Sequence, residues 1–153
     1  MAAKAGSAVA LALLLAACAG SEPVEVACPI TQIAVPADSI GFDNANNQLR
    51  FAGRLQDFTS TCRPADDDIE VDLTFVVRAE AGPGLDSRPA QLTYFLATVD
   101  PTRTIVDKQI YSVELPLGPA QPVSALQESI TLRLPMLTET TGANYNIYLG
   151  FQP

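Results

Sequence analysis

Ile69-Glu70-Val71-Asp72-Leu73-Thr74-Phe75-Val76-Val77-Arg78-Ala79 is the stretch that decides the fold. Ile69, Val71, Leu73, Phe75 and Val77 fall on one side of a two-residue period, and Glu70, Asp72, Thr74 and Arg78 fall on the other. Side chains of an extended strand alternate between faces, so the pattern predicts a strand with one face in a core and one in water. The period recurs outward in both directions. Leu49, Phe51, Gly53 and Leu55 alternate with Arg50, Ala52, Arg54 and Gln56, and Ile30, Ile33 and Val35 mark a short strand broken by Pro36. Downstream, Leu92, Tyr94 and Leu96 share a face within Gln91–Val99. A further strand is expected from Thr104 to about Leu115, with a kink near Ser112. Ile130, Leu132 and Leu134 alternate with Thr131 and Arg133, and Tyr145, Ile147, Leu149 and Phe151 share the face of a last strand.

Turn signals separate these runs. Asp43-Asn44-Ala45-Asn46-Asn47 suits a turn, because Asx side chains bond nearby backbone and tolerate left-handed geometry. A Gly- and Pro-rich loop runs from Ala81 to Pro89. Asp100-Pro101-Thr102-Arg103 reads as a hairpin connection, Pro116, Pro119 and Pro122 interrupt pairing, and Thr140-Thr141-Gly142-Ala143 reads as a turn into the last strand. About seven strands with no helical periodicity predict an all-β, antiparallel β-sandwich. The segment Thr141-Gly142-Ala143-Asn144-Tyr145-Asn146-Ile147-Tyr148 resembles the entry to strand F of immunoglobulin and fibronectin type III domains. That resemblance implies a corner role for Tyr145. Little chain follows Phe151, so the first strand is expected to fill the edge that a following strand would occupy, unless the sandwich has another topology.

The N-terminus carries a separate signal. Lys4 precedes an apolar run from Ala5 to Ala17, and small residues surround Cys18. This order is that of a secretory signal: a basic start, an apolar stretch and a cleavage point. Leu15-Ala16-Ala17-Cys18 resembles the bacterial lipobox, in which the Cys becomes the lipidated first residue of the mature protein. The chain is also similar to small bacterial envelope lipoproteins that end in Gly-Phe-Gln, which implies an address but no activity. By the resemblance, residues 1–17 are a lipoprotein signal peptide, 18–27 are the lipidated Cys with a short linker, and 28–153 are the β-sandwich domain. Ala19 and Gly20 carry no Asp-type retention signal, which implies the outer membrane, facing the periplasm. Two alternatives compete. Ala17-Cys18-Ala19 also fits an A-x-A site for ordinary secretion, with cleavage after Ala19. A retained transmembrane helix would need about 20 apolar residues, more than this run supplies.

Composition narrows function. The chain has 153 residues and a formal charge of −8, and every charged residue but Lys4 lies beyond the cleavage point. An acidic surface disfavours nucleic acid as a partner. With no His anywhere, Ser-His-Asp and Cys-His catalysis and histidine-ligated zinc are excluded. No cofactor motif is present. Once Cys18 is spent on lipid, Cys28 and Cys62 remain. In an oxidising compartment they are expected to form a disulfide, tying the first strand to the turn before Ile69 and contributing about 3–4 kcal/mol.

Asp66, Asp67 and Asp68 form the densest acidic run and are a weak Ca²⁺ candidate. They lack calcium-loop spacing, so a solvated turn is the expected role. Phe95, Ala97 and Val99 lie opposite Leu92, Tyr94 and Leu96, which makes Phe95 and Val99 a candidate partner patch if they are exposed. The expected function is that of a non-catalytic, membrane-anchored lipoprotein that binds an envelope protein or supports an assembly. A module for a small ligand or glycan is the alternative. Replacing Cys18 by Ser is expected to release the protein from membranes or leave an unprocessed precursor. Fractionation and intact-mass analysis check this, and an unmodified chain beginning at Gly20 would favour ordinary secretion.

Overall fold

The computed structural model describes residues 27–136 and 144–153. Eight strands appear in chain order: β1 Ile30–Ile33, β2 Ser39–Asp43, β3 Leu49–Ala65, β4 Asp68–Ala81, β5 Ala90–Val99, β6 Ile105–Leu115, β7 Val123–Pro135 and β8 Asn146–Phe151. They form two four-stranded sheets, β1-β8-β5-β6 and β2-β3-β4-β7. Every neighbouring pair is antiparallel except β1 with β8, which is parallel. The chain is an all-β sandwich, as the alternation predicts. The first strand does lie at the edge beside the last one.

The strand count exceeds the expected seven because Ser39–Asp43 pairs with β3 as a strand of its own. Strand β3 is also longer than its apolar run, at 17 residues. Its outer half, Thr59–Ala65, carries few apolar residues and is held by pairing with β4. The register slips between Gln56 and Thr59, where Asp57 takes a φ of 56°. Such an irregularity bends a strand. The expected kink at Ser112 is not where the second sheet breaks register. Thr98 pairs with Asp107 and Val99 with Ile105, which leaves Val106 unpaired at a bulge.

The core follows the two-residue period. Ile69, Val71, Leu73, Phe75 and Val77 of β4 are buried and face Leu92, Tyr94 and Leu96 of β5 and Ile147, Leu149 and Phe151 of β8. Phe75 meets Tyr94 edge-on, with ring centroids 5.3 Å apart, and Phe58 meets Phe75 edge-on at 6.0 Å. Edge-to-face contact sets a positive ring edge on a negative face. Burial, with Glu128 nearby, pushes the Tyr94 phenol above its ordinary pKa. Gly53 leaves room for the facing sheet, since a Cβ there would lie 2.6 Å from Leu92 Cδ2.

Two polar devices close the sandwich. Cys28, just before β1, is bridged to Cys62 with Cα atoms 5.6 Å apart. Cys62 lies within β3 opposite Val71, so the bridge joins one sheet to the other and does not end in the turn before Ile69. The Thr31 and Ser60 hydroxyls meet beside it at 3.0 Å.

At the far end, the loop after β4 is bound to Arg50, whose side chain is buried beside Phe51. Arg50 Nε donates to Asp86 Oδ1 at 2.7 Å, and Nη2 donates to the carbonyls of Arg88 and Pro89 at 2.6 and 2.9 Å. Arg88 and Arg50 together hold the Asp86 carboxyl well below its ordinary pKa. A depressed carboxylate stabilises the folded state above its unfolded pKa of about 3.9, and that contribution fades as pH falls toward the depressed value. Melting curves between pH 7 and pH 2 are therefore expected to lose stability below about pH 4. In Asp86→Asn the melting temperature at pH 7 falls and the acid-dependent loss shrinks. An unchanged acid profile in that variant would contradict the assignment.

Candidate interaction surface

Strand β5 presents Phe95, Ala97 and Val99 on the outer face of its sheet, because its inner positions are taken by the core. Phe95 sits between Ile110 of β6 and Gly150 of β8. A Cβ on Gly150 would fall 2.8 Å from Phe95 Cζ and 3.0 Å from Ala37 Cβ, so the glycine leaves the space in which the ring lies. Lys108 Nζ stands 5.0 Å from the ring centroid. A cation over an aromatic face is attracted by its quadrupole. The chain's own residues thus cover part of Phe95, which is half-buried, as is Val99. Ala97 is buried between Lys108 and Tyr148.

The accessible apolar surface lies one strand further out. Ile110 is 54% exposed, Ile105 58% and Val106 52%, all on β6. Ile110 is beside Phe95 and Ile105 beside Val99, so the exposed apolar side chains adjoin the expected positions but lie on β6. The sequence pattern marks β6 only as a strand. The signal that could have found it is the run Ile105-Val106, where two successive apolar residues cannot both face a core.

A cleft of about 420 Å³ opens between β6 and β7, lined among others by Val106, Asp107, Gln109, Leu132, Leu134 and Tyr145. The Tyr145 hydroxyl donates to the carbonyl of Pro135 at 3.1 Å. That bond ties the residue before β8 to the end of β7. Burial and the Asp100 charge push the Tyr145 phenol up.

Asp66 and Asp67 occupy the β3–β4 turn, with Asp66 at a φ of 56°. Glu70 and Asp72 beyond them are held by arginine. Arg63 pairs with both, Arg133 Nη2 reaches Glu70 at 3.1 Å, and Thr131 donates to Asp72 at 2.7 Å. Among the described residues no group of three or more acidic, His or Cys side chains is placed to hold a metal ion. Cys18, its linker through residue 26 and the expected turn at 140–143 lie outside the described residues.

No protein-family model matches the chain, and no curated protein or solved structure matches it either. The exposure difference predicts unequal folding costs. Phe95→Ala is expected to cost about 1–3 kcal/mol, since a half-buried ring loses part of a full burial term. Ile110→Ala should stay within about 0.5 kcal/mol. Denaturant unfolding of both variants checks the ranking, and equal costs would show that the two side chains are equally covered.

Proposed function

We propose that this protein is a non-catalytic lipoprotein of the bacterial envelope, anchored through Cys18 at the outer membrane. It serves there as a protein-binding or structural accessory through the outer face of β5 and β6. The observation that carries the binding half of this reading is the exposed apolar pair Ile105 and Ile110, extended inward by Val99 and Phe95. Exposed apolar side chains gathered in one place on a folded domain mark a contact surface more often than singly scattered ones do. The lipobox motif supports the anchor, and several acyl chains on one Cys would make it long-lived. The absence of His from the chain supports a non-catalytic role.

The cleft between β6 and β7 favours a second reading, a site for a small ligand or glycan. Its Gln109 amide and Asp107 carboxylate offer hydrogen bonds beside an apolar wall of Val106, Leu132 and Leu134, as concave ligand sites do.

Ile105→Asp separates the two readings, because Ile105 belongs to the apolar face and not to the cleft lining. Membranes from cells carrying the wild type or Ile105→Asp are cross-linked, and captured proteins are quantified by mass spectrometry. A specific envelope protein reduced at least about tenfold in the variant, with an unchanged melting temperature, is the expected result. Equal capture from both removes this face as the interface.

A further inference from the structure

We infer that two copies of this chain pair through β6, edge to edge and antiparallel, about a two-fold axis at Tyr111. The inference goes beyond the proposed partner face and does not rest on it.

Four strands end the two sheets, and they differ as pairing templates. β1 and β2 have four and five residues. β7 ends at Pro135 and follows Pro122, and its two charges, Glu128 and Arg133, fall on opposite faces. β6 offers 11 residues without a proline, and one whole side of its backbone is left unpaired by the sheet order. A long edge strand with exposed apolar side chains is a ready template for another strand, and natural edges are usually blocked against this. β6 carries three charges, Asp107 and Lys108 near one end and Glu114 near the other, so its central residues 109–113 are left uncharged for pairing.

The charges select both the occupant and the register. A two-fold axis perpendicular to a sheet keeps each side chain on its own face, so strand positions pair only with positions of the same face. Lys108 pairs with outward Ala97 and Glu114 with outward Gln91 of β5, so both point outward, and they flank Tyr111 symmetrically. With the axis at Tyr111, Lys108 of each copy therefore faces Glu114 of the other, and two complementary pairs form at once. An axis at Asp107, Lys108 or Glu114 would set like charges opposite each other, which destabilises paired strands. In the favoured register Ile110 lies opposite Ser112 of the second copy and diagonal to its Ile110, within reach of side-chain contact. The exposed Ile110 of each copy would thereby join one apolar stripe, Phe95 to Ile110 to Ile110 to Phe95, across a continuous eight-stranded sheet.

The test uses the full chain in membranes, with two populations of cells grown on light and heavy nitrogen and their extracted protein mixed and reconstituted. Zero-length carbodiimide coupling joins an amine and a carboxylate only in contact. Within one chain Lys108 and Glu114 stand about 20 Å apart along the strand, too far for such a bond. A mixed-isotope peptide linking Lys108 to Glu114 is therefore expected, and it can arise only between copies. Lys108→Glu and Glu114→Lys should each weaken association at least about tenfold by sedimentation in detergent. The double exchange should restore it to within about threefold, with melting temperatures reporting that all three variants fold. A chain that sediments as a monomer overturns the proposal. So does a dimer cross-linked elsewhere, or a double exchange as weak as either single one.

Discussion

Burial of alternate β4 side chains against β5 and β8 is the constraint on which the rest of the structure depends. Ile69, Val71, Leu73, Phe75 and Val77 are sealed from solvent along one face of a strand paired on both sides. A slip of one residue in either ladder would turn all of them outward at once, which fixes register more firmly than any single hydrogen bond. The Phe75–Tyr94 contact then sets how the second sheet lies on the first. Gly53 lets Leu92 approach, and the Cys28–Cys62 bridge closes the side where β1 and β3 meet.

Polar residues are arranged around this apolar centre so that few are left without a partner. Arg50 satisfies two loop carbonyls and one carboxylate from a buried position. Arg63 and Arg133 cover Glu70, which is why an acidic residue on the outer face of β4 is nearly buried. These exposed-side ion pairs contribute modestly to stability in water. Their larger effect is to neutralise the acidic strand surface beyond the Asp66–Asp68 turn. Asp66 and Asp67, of the acidic run that sequence marks as a metal candidate, thus lie in a turn, and the carboxylates that follow the run, Glu70 and Asp72, are clasped by arginine.

The remaining asymmetry of the molecule is in the sheet that holds β6. Its inner face is filled, its middle is capped by Phe95 lying over Gly150, and its last strand is left with exposed isoleucines and an open backbone edge. The opposite side of the sandwich is closed by a disulfide and by short strands. The exposed isoleucines and the long open edge therefore lie on one side of the fold. The apolar outer face and the unpaired edge are distinct features there, one suited to side-chain packing and the other to backbone pairing.

By itself the sequence determined the all-β class, the inward faces of β4, β5 and β8 and the pairing of Cys28 with Cys62. Each of these follows from a local period of two or from a count of cysteines. The resemblance of Leu15-Ala16-Ala17-Cys18 to a lipobox likewise rests on local sequence alone. Tertiary structure decided what no local window contains. Ser39–Asp43 became a strand because β3 offered it an edge, and β3 ran on past its apolar residues because β4 paired with it. The bulge fell at Val106 and not at Ser112, since register is settled by the partner strand. Phe95 and Val99 read as an open patch along one strand, yet Lys108 and Gly150 come from the two neighbouring strands to cover part of the ring. Exposure passed to Ile105, Val106 and Ile110 because β6, with a neighbour on one side only, has nothing beyond it to bury them.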